Sequence, residues 1–194
     1  VALVGESGSG KSTLLLSLLK SVVPRSGRIL ISGVDLASLS RGQIQEMMGY
    51  VPQLPTSFSG SVRFNVDPSG KLSDDEVIAA LAAVQLLSVV VGLDDGLDQQ
   101  LTESTLSYGQ KQLLCLARAI CQQPQLLLLD NCVSALETHM QQLVLQGVLN
   151  YLPQTTVVAA TNSPLVASVM DRLVLLKNGL VEEGIEAEAV ADGF

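Results

Sequence analysis

The sequence predicts an α/β fold, and three observations carry this prediction. Short apolar runs recur along the 194 residues and alternate with segments whose apolar residues have helical spacing. Hydrophobic residues make up 47% of the chain and charged residues 15%, a composition typical of a folded globular domain. A glycine-rich loop separates the first apolar run from the first helical pattern. We therefore expect buried strands in a sheet that helices cover.

The order of the elements predicts a sheet with a helical insertion. The apolar runs predict strands at residues 1–4, 29–32, 49–51, 126–130, 157–160 and 173–176. Helical spacing predicts helices at residues 11–19, 110–121 and 138–149. A further helical region at 73–91 opens with a serine and three acidic residues, which suit a helix N-terminus. No strand pattern interrupts residues 56–121, so we expect a helical subdomain between two parts of the sheet.

Charge and hydropathy argue against a general nucleic-acid-binding protein and against a membrane-spanning segment. The formal net charge is −8 and no basic cluster offsets it, which argues against nucleic acid as a partner. The mean hydropathy is +0.40, but the apolar runs are far shorter than the roughly 18 residues that a membrane-spanning helix needs.

Cys115, Cys121 and Cys132 have no metal-ligand spacing and leave an odd thiol in any pairing. We therefore expect reduced, structural cysteines in a cytosolic compartment.

The glycine-rich loop has the sequence of a phosphate-binding loop. It matches the pattern G-x-x-x-x-G-K-[ST] with Gly5, Glu6, Ser7, Gly8, Ser9, Gly10, Lys11 and Ser12. The glycines let the backbone approach phosphate oxygens, Lys11 adds a positive charge, and Ser12 is placed to bind Mg²⁺. With Thr13 beside them, these residues predict an ATP and Mg²⁺ site in a P-loop NTPase core. The alternative is a chance glycine turn with a helix cap.

A carboxylate ends the most apolar of the predicted strands. Asp130 follows four leucines, and an acid at the carboxyl end of a buried strand is well placed to hold Mg²⁺ through water. The alternative is an acidic cap after a core strand. Because the phosphate loop lies in the same chain, we predict that Asp130 belongs to the magnesium site.

A second motif narrows the class of P-loop protein. The segment Leu106-Ser107-Tyr108-Gly109-Gln110 precedes the Asp130 strand and resembles the signature motif of ATP-binding-cassette (ABC) proteins. The resemblance implies a helix whose N-terminus faces the γ-phosphate bound by the opposite domain of a head-to-tail dimer. The alternative is a helix start without a ligand, since Ser107 would cap the helix in either case.

Further segments resemble the C, or multidrug-resistance-associated, subfamily of ABC proteins. Gln53, after Tyr50-Val51-Pro52, resembles the Q-loop glutamine, which implies contact with Mg²⁺ and communication with a membrane domain. Residues 58–68 and 112–119 resemble the second nucleotide-binding domain of this subfamily. The resemblance covers residues 1–184 and lacks the family's N-terminal strands with the adenine-stacking aromatic residue, so we expect a domain truncated at its N-terminus.

Two positions depart from the pattern of a hydrolytic ABC site. The family places Glu after the magnesium-linked Asp, and Asn131 stands there instead. A neutral amide cannot act as a carboxylate base, and losing a general base costs about 10²–10⁴ in rate. The family also places His after the strand that residues 156–160 resemble; counting gives Asn162, or Thr161 if the alignment shifts by one. The single histidine, His139, is expected at the surface or facing a partner.

Two smaller departures concern the expected dimer face. The loop Ser134-Ala135-Leu136-Glu137 ends in Glu where the family usually has Asp, and residues 101–105 form a shorter stretch than in relatives. The chain resembles a second nucleotide-binding domain, yet it lacks the Glu after Asp130. In the C subfamily that absence is usual in the first nucleotide-binding domain. Neither departure excludes a dimer.

The motifs together predict one ABC nucleotide-binding domain over residues 1–194. We expect a sheet core at 1–53 and 123–185, a helical subdomain at 54–122 and a loose tail at 186–194. The resemblance implies a transporter at the cytoplasmic face of a membrane, with a weakly hydrolytic site of its own. It also implies two partners: a second nucleotide-binding domain, and transmembrane domains of the same or another chain. The alternatives are a non-hydrolytic regulatory module or pseudoenzyme, and a soluble ABC ATPase acting on DNA or translation.

Overall fold

A mostly parallel sheet forms the centre of the protein in a computed structural model that describes residues 1–182. The strands in chain order are β1 (Ala2–Val4), β2 (Leu30–Ile31), β3 (Val34–Asp35), β4 (Met48–Val51), β5 (Leu126–Asp130), β6 (Thr156–Ala160), β7 (Leu173–Lys177) and β8 (Leu180–Glu182). Six of them form one sheet in the order β4-β5-β6-β1-β7-β8. Neighbours in this sheet run parallel, except that β8 is antiparallel to β7. The α/β prediction is confirmed.

Helices cover the sheet and fill the inserted segment. They are α1 (Lys11–Leu18), α2 (Arg41–Met47), α3 (Val62–Val66), α4 (Asp74–Ala83), α5 (Leu87–Val91), α6 (Tyr108–Ile120), α7 (Thr138–Tyr151) and α8 (Pro164–Ser168). Four helices, α3 to α6, lie between β4 and β5 in the chain. Within that part of the described chain, the β-type pairing is a single bridge between Ser61 and Gln100. The inserted helical subdomain therefore matches the prediction.

Strand β5 shows how the sheet is buried on both faces. Leu127 and Leu129 pack into one hydrophobic cluster, whereas Leu126 and Leu128 pack into another on the opposite face. All five residues of β5 are buried. Burying a leucine side chain contributes about 1.5–3 kcal/mol, which explains why the sequence has an unbroken leucine run and no polar alternation.

The predicted helical region at 73–91 is two helices and not one. Between α4 and α5, Gln85 has φ of 60°, a left-handed backbone that cannot continue an α-helix. The break places Val84 and Leu86 in the hydrophobic core, and this burial overrides the local helical pattern. The predicted cap at Ser73 is confirmed, and it forms a full capping box with the third residue of α4.

The predicted strand at 29–32 lies outside the main sheet. The chain turns back after β2 through Ser32 and Gly33, whose φ values are 50° and 80°, and β2 pairs with β3 in a separate two-stranded sheet. Two residues with positive φ form a tight hairpin turn of this kind. Helix α2 was not predicted, although the capping box of Ser40 and Gln43 marks its start.

The bounds of the other predicted elements agree closely with the structure, whereas α3, α8, β3 and β8 were not predicted as separate elements. The ends of α1, α6 and α7 differ by one or two residues from the expected limits. The predicted tail at 186–194 and the last residues of the predicted core segment lie outside the described residues. The three cysteines are free and buried, and burial raises the pKa of the Cys132 thiol to about 12.

Within residues 1–182, none of the helices is both long enough and apolar enough to cross a membrane.

Asp67, which follows α3, is a buried carboxylate held by hydrogen bonds. Its oxygens accept from the Ser69 hydroxyl at 2.6 Å, the Ser69 N–H at 3.1 Å and the Leu72 N–H at 2.8 Å. Burial raises the pKa of Asp67, but these hydrogen bonds outweigh burial and hold the pKa below its usual value. The stability that this carboxylate contributes is therefore present above the unfolded pKa of about 3.9 and is lost as the pH falls through the lower folded pKa.

We expect Asp67→Asn to lower the free energy of unfolding by about 1–3 kcal/mol at pH 7, because the amide nitrogen cannot accept and leaves one buried donor unpaired. The variant should also lose less stability than the parent when the pH falls below about 4. Denaturant unfolding at neutral and acid pH measures both effects. Asp75→Asn, at an exposed position in the first turn of α4, is the control; an equal response there contradicts the role of Asp67.

Candidate functional site

Four strand ends meet at one edge of the sheet and carry the predicted site residues. Strands β4, β5, β6 and β1 are parallel neighbours in that order, so their carboxyl ends lie at the same edge. Gln53 follows β4, Asp130 ends β5, Asn162 follows β6, and Gly5 follows β1. The topology therefore collects residues that are far apart in the sequence.

The loop between β1 and α1 has the backbone form of an anion site. Gly5, Gly8 and Gly10 have φ of 148°, 82° and 107°, values that strain any residue with a side chain. A Cβ at Gly5 would strike the carbonyl oxygen of Leu176, so this turn needs glycine. Gly10 precedes α1 without a side-chain cap. The first N–H groups of α1 are thus left for a ligand.

Two side chains of this loop fit a phosphate group. Ser9 is 6% exposed and its hydroxyl has no hydrogen-bond partner among residues 1–182, which is unfavourable unless a ligand or a water molecule supplies one. Lys11 Nζ donates to the carbonyls of Gly5 at 2.6 Å and Glu6 at 2.9 Å, so the ammonium lies within the loop. Burial lowers the pKa of Lys11, while the charge of Asp130 raises it. The loop thus combines a positive charge with an unpaired hydroxyl.

The carboxylate of Asp130 lies beside this loop and is 6% exposed. Its Oδ1 accepts from the Ser12 hydroxyl at 2.9 Å and its Oδ2 from the Tyr50 hydroxyl at 3.5 Å. Hydroxyl and carboxylate oxygens are ligands that Mg²⁺ accepts. No three His, Cys, Asp or Glu side chains cluster as a metal site in the described part of the chain. Magnesium at Asp130 would therefore also need oxygens from phosphate and water.

Asn131 and Asn162 follow β5 and β6, which pair with each other at this edge of the sheet. The N–H of Asn131 donates to the carbonyl of Ala160 at 2.8 Å, which ties the end of β5 to the end of β6. Thr161 is 3% exposed, and its N–H donates to the Leu3 carbonyl at 3.0 Å. Of the two alternatives for the His position, Asn162 is exposed and Thr161 is part of the buried framework. His139 is exposed in the first turn of α7.

The signature segment caps its own helix. The Ser107 hydroxyl accepts from the Gln110 N–H at 3.3 Å, and the Gln110 side chain accepts from the Ser107 N–H at 2.8 Å. The cap expected at Ser107 is therefore confirmed. Ser107 and Tyr108 are exposed, whereas Leu106 is buried. In the described residues, no hydrogen bond joins this segment to the loop at 5–13.

The backbone of Gln53 connects the sheet edge to the signature helix. Its carbonyl accepts from the Tyr108 hydroxyl at 3.4 Å and from Gln112 Nε2 at 3.3 Å, while the Gln53 residue itself is exposed. Gln112 and Tyr50 were not predicted as neighbours of the site. Their contacts depend on how α6 packs on β4 and on the pairing of β4 with β5, which no local pattern encodes.

Comparison with known proteins agrees with this geometry. The family model described as "ABC transporter" matches residues 1–134. The chain belongs to the ABC transporter family. Domains of this family bind ATP, in agreement with the loop described above.

Individual relatives refine the comparison. The chain is 36% identical to "ATP-binding cassette sub-family C member 2" of Rattus norvegicus over 99% of its own length and 13% of that protein. It is 35% identical to the Homo sapiens protein of the same name, over 94% of the chain and 12% of that protein. It is 32% identical to "ABC transporter C family member 3" of Dictyostelium discoideum, over 94% of the chain and 13% of that protein. The resemblance to the C subfamily is confirmed, and the chain spans only about an eighth of these relatives' length.

A solved structure shares the fold. The chain superimposes on "Structure of a bacterial Atm1-family ABC exporter with ATP bound" with a TM-score of 0.90 and 29% identity, over 97% of this chain and 34% of that one. The ABC ATPase type of the fold is therefore confirmed. The resemblance to a second rather than a first nucleotide-binding domain stays a prediction.

Proposed function

We propose that this ABC domain binds Mg-ATP at residues 5–13 and Asp130 and couples ATP binding and hydrolysis to transport through membrane domains. The observation that carries the proposal is the hydrogen bond from the Ser12 hydroxyl to Asp130, beside a glycine loop that encloses Lys11. Backbone N–H groups of the loop bind the phosphates, and Lys11 offsets their charge. Ser12 and Gln53, with Asp130 acting through water, would hold a magnesium ion, which would neutralise charge on the phosphates.

The same site is a weak hydrolase because two of its groups are amides. Asn131 follows the Asp130 carboxylate at the edge where Asn162 is exposed. An amide holds a water molecule by hydrogen bonds but does not take its proton, and the absence of a general base costs about 10²–10⁴ in rate. We therefore expect this domain to retain ATP far longer than it would with Glu and His at these positions.

The signature segment serves a second nucleotide-binding domain in a head-to-tail dimer. Ser107 and Tyr108 are exposed at the N-terminus of α6, a helix of 13 residues, and a helix N-terminus favours an anionic group. A partner that supplies Glu and His would complete a competent site against this surface. The domain thus holds ATP at its own loop and assists hydrolysis in its partner.

A groove beside Gln53 fits a membrane partner. Its volume is about 440 Å³, and residues of β4, α2 and α6 line it together with Pro52 and Thr56; Glu46 and Arg118 are its charged lining residues. Leu54 and Phe58 lie close to this groove in the sequence and are 71% and 44% exposed. We propose that a transmembrane domain docks at this groove and that the chain works at the cytoplasmic face of a membrane. A displacement at this groove would be transmitted to Gln53 and, through the hydrogen bonds that its carbonyl accepts from Tyr108 and Gln112, to α6.

A non-hydrolytic regulatory module is the second candidate function, and Asn131 favours it. Both candidates require ATP binding, and they differ in turnover when a competent partner is present. Transport coupling predicts turnover in the mixed dimer, whereas a regulatory module predicts none.

Nucleotide binding is tested with Lys11→Ala. We expect its affinity for Mg-ATP to fall about 10- to 100-fold, because a hydrogen bond to a charged group contributes about 1.5–3 kcal/mol. Calorimetric titration of the purified chain measures the change. Lys20→Ala is the matched control, since the Lys20 ammonium donates to Ala37 and Leu39 carbonyls beyond the other end of α1. Equal affinities for all three proteins would refute the proposed site.

A further inference from the structure

A buried glutamine joins the two loops that follow β5 and β6. Gln141 in α7 is 8% exposed. Its Nε2 donates to the Leu136 carbonyl at 2.8 Å, and its Oε1 accepts from the Ser163 hydroxyl at 3.1 Å. Both ends of the amide are therefore satisfied by residues outside α7, one in each loop.

The β5 loop, residues 131–137, faces the signature helix. A Cβ added to Gly109 would lie 3.1 Å from Cδ2 of Leu136, so the backbone of α6 and this leucine are in close contact. The Leu136 N–H donates to the Val133 carbonyl at 3.0 Å, which closes the loop on itself. A displacement of Leu136 would therefore reach the surface that carries the signature motif.

The β6 loop, residues 161–163, belongs to the chain's own site. It contains Asn162, and the Ser163 N–H donates to the Thr161 hydroxyl at 2.9 Å. The Thr161 N–H bonds to Leu3 in β1, the strand that leads into the phosphate loop. A displacement at the phosphate loop would therefore reach Ser163.

We propose that Gln141 is a positioning residue that makes the β5 loop and the β6 loop move together, and so couples the chain's own nucleotide site to the signature surface. The functional meaning of this coupling rests on the proposed function. If one loop moved alone, a buried amide atom would lose its partner, which disfavours that state by about 10- to 100-fold. Joint movement keeps both hydrogen bonds. The competing explanation is that Gln141 only anchors the start of α7, which lacks a side-chain cap.

Ser163→Ala tests the coupling without nucleotide. The variant removes one hydroxyl from the β6 loop and leaves α7 and Leu136 intact. If the loops are coupled, amide exchange measured by NMR becomes roughly fivefold faster at Leu136 as well as at Ser163. Ser168→Ala is the control, because that hydroxyl donates to the Leu165 carbonyl within α8. Faster exchange confined to residues 161–163 overturns the proposal and leaves the anchoring explanation.

Gln141→Met then tests the link with ATP present, since methionine keeps the length of the side chain without the amide. In the parent, Mg-ATP should slow exchange in the β6 loop and at Leu136. In the variant, it should slow exchange in the β6 loop only. Equal slowing at Leu136 in both proteins overturns the coupling. Absence of ATP binding, measured separately by calorimetry, contradicts the proposed function instead, and the nucleotide-free exchange of Ser163→Ala still decides the coupling.

Discussion

A Ser107→Arg variant is expected to lower the ATP turnover of a mixed dimer by about 10²–10³-fold, while its own affinity for Mg-ATP stays unchanged. The dimer pairs this chain with an ABC domain that carries Glu and His at the positions of Asn131 and Asn162. Ser107 is exposed at the N-terminus of α6, so a long cationic side chain there fills the space that the partner's γ-phosphate needs. Phosphate release from the mixture and calorimetry on the chain alone measure the two effects.

A control variant at Ser73 distinguishes loss of the contact with the partner from loss of a helix cap. Ser73 caps α4 with the same reciprocal arrangement, in which its hydroxyl accepts from the Glu76 N–H at 3.3 Å and Glu76 accepts from the Ser73 N–H at 2.7 Å. Losing either cap costs about 1 kcal/mol of stability, and Ser73→Arg should leave turnover unchanged. If Ser73→Arg reduces turnover as much as Ser107→Arg, the loss comes from destabilisation and not from a contact with the partner.

The sequence predicts best what is encoded locally. The phosphate loop can be predicted because one strand, three glycines and one helix start lie within a dozen residues. In the structure each of these glycines has the positive φ that its position requires. The cap at Ser107 is equally local, since its partner Gln110 lies three residues away. Both predictions concern contacts that neighbouring residues make among themselves.

Contacts between distant segments could not be predicted in the same way. Asn131 reaches Ala160 because β5 pairs with β6, and Gln141 reaches Ser163 because α7 packs beside α8. The break at Gln85 also depends on the core, which buries its two neighbours. In each case tertiary packing decides, and a single sequence shows only the residue types and not their pairing.

Asn131→Glu alone is expected to raise turnover at the chain's own site by less than about tenfold, although a general base is worth about 10²–10⁴. Asn162 still lacks the ring nitrogen that the family places by the γ-phosphate. The variant would therefore supply a base for the attacking water but no ring nitrogen for the γ-phosphate. Residue 131 also has φ of 48°, which asparagine tolerates and which costs other residues about 1–2 kcal/mol. Glutamate therefore enters a strained position.

The double variant Asn131→Glu/Asn162→His should recover about 10²-fold or more of turnover, because it supplies both groups at a sheet edge where the hydrogen bond from Asn131 to Ala160 already holds the two loops side by side. Turnover by the purified protein, corrected for the ATP-bound fraction, measures the recovery. Asn131→Gln/Asn162→His has the same length at residue 131 but no carboxylate, so its turnover should stay low. Recovery with Gln would show that the charge is not the cause, and full recovery with Asn131→Glu alone would show that residue 162 is not required. Recovery in the double variant alone assigns the weak hydrolysis to these two amides together.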